Sequence, residues 1–233
     1  MSASRPTSAH VPSALDYHAK DEDYFSVVRR DIAPLLPAQT SRALDIGCGA
    51  GATLHWLKAS RHVRHTVGVE HFEAAAQRAR EVVDEVYCLD LEKATLPVEA
   101  GTFDLILCLD VLEHLVDPWG LVDRLVRERL APGGTIIISV PNVRSVRVVF
   151  PLIVFGDWEY QEQGLLDRTH LRFFTRRTAM RLLLHPQLGP VRCIRPGFEF
   201  GTAKGAVNCL TFGIFRNFLT PQYLASAVKS GGG

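Results

Sequence analysis

Apolar residues recur along this chain with two alternating spacings. Short, nearly continuous apolar runs stand at Ala43–Ile46, His65–Val69, Val86–Leu89, Thr102–Leu109 and Thr135–Val140. Between them, apolar residues fall three and four apart from Ala52, over Glu73–Val83 and over Asp117–Leu130. Runs of the first kind predict strands buried on both faces; the second spacing predicts helices with one buried face. Strand and helix in alternation predict an α/β doubly wound sheet. Upstream, Tyr24, Val27, Val28, Ile32 and Leu35 lie close to helical spacing within Asp16–Leu36, and Pro34 and Pro37 end the pattern. That helix would lie over the edge of the site, with Tyr17 and Tyr24 as candidate contacts. Downstream, Arg176–Leu184 reads as a helix, and Val191–Arg195 and Tyr223–Lys229 as strands.

Composition narrows the class. A chain of 233 residues that is 47% apolar holds one domain with a real core. The Ser-, Pro- and Ala-rich residues 1–14 read as a disordered tail, 15–230 as a single domain and 231–233 as a flexible tail. A net charge of +1 points to neither a nucleic-acid binder nor an enzyme of acidic substrates. Cys48, Cys88, Cys108, Cys193 and Cys209 are odd in number, widely spaced and without a Cys-x-x-Cys pair. That usage argues against a disulfide framework or a zinc site and fits a cytoplasmic protein. No apolar run is long enough to span a bilayer and no signal-peptide core is present.

The first strand runs into Asp45-Ile46-Gly47-Cys48-Gly49-Ala50-Gly51. Its glycines let the backbone bend sharply and let a ligand approach without meeting a Cβ. The spacing is G-x-G-x-G, whereas the dinucleotide fingerprint is G-x-G-x-x-G. A carboxylate at Asp45 suits a ligand with a cationic or hydrogen-bond-donating end and would repel a pyrophosphate. Glu70 ends the second strand about twenty residues further on, the separation at which an acid accepts from both ribose hydroxyls. Asp90, after the third strand, suits an adenine amino group, with the Leu91 N–H beside it.

Ligands of open α/β sheets bind at the carboxyl ends of the strands. Two segments emerge there. In Leu109-Asp110-Val111-Leu112-Glu113-His114, a helical turn would put Asp110, Glu113 and His114 on one face. Acid–base and acceptor-orienting work is the first reading. Carboxylates with an imidazole also suit a divalent ion, which would need a further ligand such as His170; no metal is assigned. The second segment, Pro141–Thr175, is long enough for a connection of this kind to be functional. Its apolar part, Val146–Phe155, suits a lid, a membrane-surface contact or a core helix; lid or core helix is preferred. Pro141–Arg181 holds seven arginines and four acids, so Arg144, Arg147, Arg168, Arg172, Arg176 and Arg177 are candidates for a cationic rim. His170 is the leading general base, since its ordinary pKa near 6.5 suits hydroxyl proton removal.

The Asp45–Gly51 run, Phe103–His114, Leu130-Ala131-Pro132-Gly133-Gly134 and Gly164–Thr175 resemble class I S-adenosylmethionine-dependent methyltransferases. The likeness lies with the bacterial group near the ubiquinone-biosynthesis O-methyltransferases, often associated with glycan or lipid biosynthesis, and covers about Tyr17 to Lys229. It implies a Rossmann-like, mostly parallel seven-stranded sheet with an antiparallel last strand and a substrate lid at about 141–175. It implies S-adenosylmethionine as cofactor. Asp45, Gly47, Cys48, Gly49 and Gly51 would hold the methionine end, Glu70 the ribose and Asp90 the adenine beside Leu91, with His71 and Leu109 also among the cofactor-binding residues. The implied reaction methylates a small-molecule, glycan or lipid-linked acceptor at a hydroxyl oxygen, with His170 as base and Asp110, Glu113 or His114 orienting the acceptor. The Asp110–His114 spacing is also similar to the Glu-x-x-Glu-His element of small-RNA 2′-O-methyltransferases, which bind Mg²⁺. A metal-assisted 2′-O-methyltransferase on RNA, a non-catalytic S-adenosylmethionine-binding protein and an NAD oxidoreductase are the alternatives.

Overall fold

The computed structural model describes residues 27–97, 102–196, 210–211, 213 and 215–231. Seven strands form one sheet: β1 (Arg42–Ile46), β2 (His65–Glu70), β3 (Glu85–Cys88), β4 (Phe103–Leu109), β5 (Leu130–Pro141), β6 (Arg192–Ile194) and β7 (Gln222–Val228). Their spatial order is β3-β2-β1-β4-β5-β7-β6. The first five are mutually parallel, and β7 lies antiparallel between β5 and β6. The strand order reverses between β1 and β4, which opens a crevice at their carboxyl ends.

The near-continuous apolar strands are explained by the two cores they serve. Along β4, Phe103, Ile106 and Cys108 enter one core while Leu105, Leu107 and Leu109 enter the other. The first core is closed by α3 (Pro118–Arg124) and α5 (Arg176–Arg181) through Leu121, Val122 and Ala179. The second is closed by α1 (Ala52–Arg61), α2 (Glu73–Ala79) and a 3-10 turn at Arg30–Leu35, through Leu54, Leu57, Ala79, Ile32 and Leu35.

Several elements differ from the sequence reading in extent. The predicted first helix keeps only the 3-10 turn Arg30–Leu35 among the described residues; Tyr17 and Tyr24 lie outside them, as do tail residues 1–14. The helix expected over Asp117–Leu130 is capped by Asp117, whose carboxylate accepts from Gly120 N at 2.9 Å. It is α-helical to Arg124 and widens to a π-turn over Leu125–Arg129. Lys229 Nζ satisfies freed carbonyls there, donating to Val126 and Leu130 at 2.6 and 2.8 Å. Next, β5 begins already at Leu130, which pairs with Phe103 before the Ala131–Gly134 bulge brings Thr135 opposite Leu105. The apolar run Val146–Phe155 is helix α4, and only Val148 of it is buried. Phe150, Ile153, Val154 and Phe155 stand in solvent, so the core-helix expectation fails. Among the described residues no helix is long and apolar enough to cross a membrane. Cys48, Cys88, Cys108 and Cys193 are free thiols.

Candidate active site

The carboxyl ends of β1, β2, β3 and β4 enclose a cavity of about 360 Å³, within the usual range for a small-molecule site. Gly47, with φ of +73°, turns the chain off β1. The N–H groups of Gly47 and Cys48 then donate to Val69 O at 2.8 and 3.1 Å. A Cβ on Gly47 would stand 3.2 Å from the Val111 side chain, so the loop passes close under the segment after β4. Cys48 tucks beneath the loop against Gly68 of β2, where any Cβ would lie 2.6 Å from its Sγ. Burial, with Asp45 and Glu70 adding to it, pushes this thiol up; the thiol packs the loop and is no nucleophile.

Glu70 is 5% exposed and holds the crevice together. Its Oε2 accepts from Gly49 N at 2.9 Å, and its Oε1 from His71 N and Phe72 N at 2.8 and 3.0 Å. Asp90 is held at the rim by Lys93 at 2.8 Å and by Glu92 N at 3.0 Å. The Lys93 bond, opposed by partial burial, keeps the Asp90 carboxyl below its ordinary value. Asp45 is different. It is 3% exposed, and its Oδ1 has no hydrogen-bond partner. Burial first, then repulsion from Glu70, raises its pKa to about 8, against the pull of Arg29.

Every residue the sequence assigned to the cofactor lines this cavity except Gly51, which sits behind the loop. Gly51 holds the left-handed N-cap of α1, and a Cβ there would meet Val83 Cγ2 at 2.6 Å. The residues present fit S-adenosylmethionine. Its cationic end would meet the unpartnered Asp45 oxygen, its diol the Glu70 carboxylate, and its adenine the Asp90–Leu91 edge.

A second cavity of about 610 Å³ adjoins the first, and Asp110 and His114 belong to both walls. The predicted helical face is only partly formed. Asp110 takes a left-handed φ of +57°, and the turn that follows is 3-10 over Leu112–His114. The Asp110 carboxylate faces Arg29, accepts from Ser139 Oγ at 2.8 Å and accepts from Gln222 Nε2. Glu113 and His114 instead meet His170. Glu113 Oε1 lies 3.9 Å from His170 Nε2, and the two imidazole centroids are 4.7 Å apart. The returning segment is pinned in place, since Leu171 N and Arg172 N donate to Glu113 O at 2.8 and 2.9 Å. Burial, with Asp110 adding to it, holds the Glu113 carboxyl well above its ordinary value.

Of the expected arginine rim, Arg147 reaches the second cavity. Arg144 covers the Phe218 ring, Arg168 pairs with Glu162, and Arg172 donates to Val116 O. The sequence reading missed Arg29 and Gln222. Arg29 binds Asp31, Asp110, Ser139 and Gln222 at once. Arg29 stands beside a second arginine and Gln222 opens a strand, so neither carries a local signal.

Fold and site together define a class I S-adenosylmethionine-dependent methyltransferase. Residues 20–186 match a family model described as a methyltransferase domain, and the chain belongs to that family. It is similar to a ubiquinone biosynthesis O-methyltransferase of Xylella fastidiosa, 28% identical over 171 residues, covering 71% of this chain and 61% of that protein. A second, of Acinetobacter baylyi, is 26% identical over 118 residues, 48% of each chain. The chain spans about half the length of the first curated relatives it matches. Among solved structures, an S-adenosylmethionine-dependent methyltransferase from Archaeoglobus fulgidus superposes with a TM-score of 0.63 at 18% identity, covering 90% of this chain and 95% of that one.

Proposed function

We propose that this protein transfers a methyl group from S-adenosylmethionine to a hydroxyl oxygen of a small-molecule, glycan or lipid-linked acceptor. The observation that carries the reading is the meeting of two cavities at Asp110 and His114, with a buried Glu113–His170 pair on the second. The bound cofactor supplies an already activated methyl on a sulfonium. The chain has three remaining tasks: to align, to exclude water and to take a proton.

Asp45 holds the cationic end while Gly47–Gly49 and Glu70 fix its approach. The acceptor occupies the second cavity, which offers the amides of Gln161, Gln163 and Gln222 and the Arg147 guanidinium. His170 Nδ1 donates to Leu165 O at 3.3 Å, which presents Nε2 as the proton acceptor. With the activated methyl held beside it, the acceptor oxygen would take the methyl carbon and His170 Nε2 would take the hydroxyl proton. Asp110, fixed by Arg29, stands at the boundary and orients the hydroxyl. The Arg147, Gln161 and Gln163 side chains that line the second cavity favour a polar acceptor head over a purely apolar one.

The test is a methyl-transfer assay with labelled S-adenosylmethionine over a panel of sugars, phenols and lipid-linked hydroxyl compounds. His170→Ala should lower kcat on the productive acceptor by about 10²- to 10⁴-fold while cofactor affinity stays unchanged. Equal turnover by variant and wild type would remove His170 from the reaction.

A further inference from the structure

We infer that Arg144, Arg176 and Arg195 form an anion site beside the second cavity, and that it holds a phosphate group carried by the acceptor. The inference deepens the reading of that cavity as the acceptor site and rests on it.

The topology gathers these arginines from separate parts of the chain. Strands β5 and β6 both run antiparallel to β7, so the ends of β5 and β6 and the start of β7 share one edge. Pro141, Pro221 and Gln222 at that edge are wall residues of the second cavity. Arg144 leaves the edge after β5 and Arg195 after β6, while α6 (Arg216–Leu219) leads into β7. Arg176 opens α5, and Phe174 just before it is fixed to the same edge, since Val143 N donates to Phe174 O at 2.9 Å. Asn142 ties the pieces together. Its side chain is buried, donates to Asn217 O and Thr220 O at 2.7 Å each, and accepts from Arg144 N at 2.9 Å. Asn217 Oδ1 accepts from Arg195 Nη2 and from the Tyr223 hydroxyl, both at 3.4 Å. The Arg144 guanidinium lies 5.0 Å from the centre of the neighbouring Phe218 ring.

No acid answers this charge. The Nε atoms of Arg176 and Arg195 are both buried without a hydrogen-bond partner. Among the described residues, ion pairs engage Arg29, Arg80, Arg127, Arg129 and Arg168, and none engages Arg144, Arg176 or Arg195. Burial first, then repulsion from Arg176 and Arg216, holds the Arg195 guanidinium below its ordinary pKa. A buried N–H without an acceptor is costly, and so are like charges brought together away from water. One anion among the guanidiniums relieves both costs. Phosphate suits the place better than carboxylate. It brings about two charges and three acceptor oxygens, which forks arriving from different elements can take from different sides. Arg147, one turn on from Arg144, carries the positive charge into the second cavity itself. A phosphate anchored by the cluster therefore leaves the rest of the acceptor to reach through that cavity to Asp110 and His170. A soluble phosphate ester and a lipid-borne phosphate offer the same group.

The experiment is calorimetric titration of the full chain with inorganic phosphate and with glucose 1-phosphate, each with and without saturating S-adenosylhomocysteine. Flotation with vesicles of phosphatidylcholine, alone or mixed with phosphatidylglycerol, is the second arm. The expected result is one phosphate group per chain, bound equally well with the cofactor product present. Arg176→Gln and Arg195→Gln should each weaken it by about tenfold or more. Arg177→Gln removes the same charge from the exposed neighbour of Arg176 and should change it by less than about twofold. S-adenosylhomocysteine titration of the same samples checks that each variant folds. Retention on phosphatidylglycerol vesicles, lost in Arg195→Gln, assigns the site to a lipid-borne phosphate; glucose 1-phosphate binding without retention assigns it to a soluble one. Neither binding nor retention overturns the site, as does phosphate binding that both variants leave unchanged or that S-adenosylhomocysteine displaces. If S-adenosylhomocysteine itself fails to bind wild type, the methyltransfer reading falls, and the phosphate titration still decides the anion site.

Discussion

The carboxyl of Asp45 costs stability in the free protein. Its native pKa of about 8 stands above the ordinary 3.8. Between these values the unfolded chain has released a proton that the native state still holds. Stability from this group is therefore full below about pH 4, falls as pH rises towards 8, and is level beyond. Asp45→Asn should flatten that fall and raise the melting temperature of the cofactor-free protein at pH 7 to 8. The same variant should weaken S-adenosylmethionine binding by roughly 10- to 100-fold, the worth of one charge-assisted contact. In the wild type, a cationic ligand seated at Asp45 should drive its proton off. Calorimetry near pH 7 in buffers of different ionisation heat should then report net proton release on binding, and in Asp45→Asn that release should vanish. Much of this site was legible in the sequence because its chemistry is local. The loop from Asp45 to Gly49 is one turn, and Glu70 follows at the length of one helix and strand. Arg29 and Gln222 were illegible for the opposite reason. They meet Asp110 from elements 81 and 112 residues away along the chain, and no spacing rule encodes that meeting.

Among the elements, the turns are more demanding than the helices. Gly51 and Gly133 both hold left-handed φ, +80° and +78°. A Cβ at Gly51 meets Val83 and Val82 of the chain after α2, whereas one at Gly133 meets nothing within 4 Å. Gly51→Ala should cost about 2–4 kcal/mol and Gly133→Ala about 1 kcal/mol, compared by denaturant unfolding. Helix α4 gives a second contrast. Ile153 is 75% exposed and Val148 only 2%. Ile153→Ser should change stability by no more than about 0.5 kcal/mol, while Val148→Ala should cost about 1–3 kcal/mol. Composition alone made Val146–Phe155 read equally well as core or lid. An apolar run states that a helix has no polar face, and it is silent on whether anything packs over it. The helix expected over Asp117–Leu130 keeps that extent, but its change from α to π after Arg124 was not legible, for a related reason. The chain after Arg124 keeps its apolar spacing, but the bulge at Ala131–Gly134 and the Lys229 ammonium, supplied from β7, decide where the helix stops.

At the scale of the whole molecule, the sheet order puts the site where it is. Reversal between β1 and β4 brings the glycine loop and the Asp110–His114 turn to one edge of the crevice. The antiparallel β7 carries Gln222 to the same edge beside Ser139. The alternation of strands and helices made the parallel part readable, whereas the place of β7 came only through resemblance, since edge insertion leaves no local pattern. The central claim is that the first cavity binds S-adenosylmethionine through its cationic end. The most direct measurement is calorimetric titration of the full chain with S-adenosylmethionine, S-adenosylhomocysteine and NAD, repeated with Asp45→Asn. The first two should bind at one site per chain, NAD should not, and Asp45→Asn should lose affinity for both, since both carry the α-ammonium of the methionine end. Binding of NAD in place of both, or unchanged affinity for both ligands in Asp45→Asn, would contradict it.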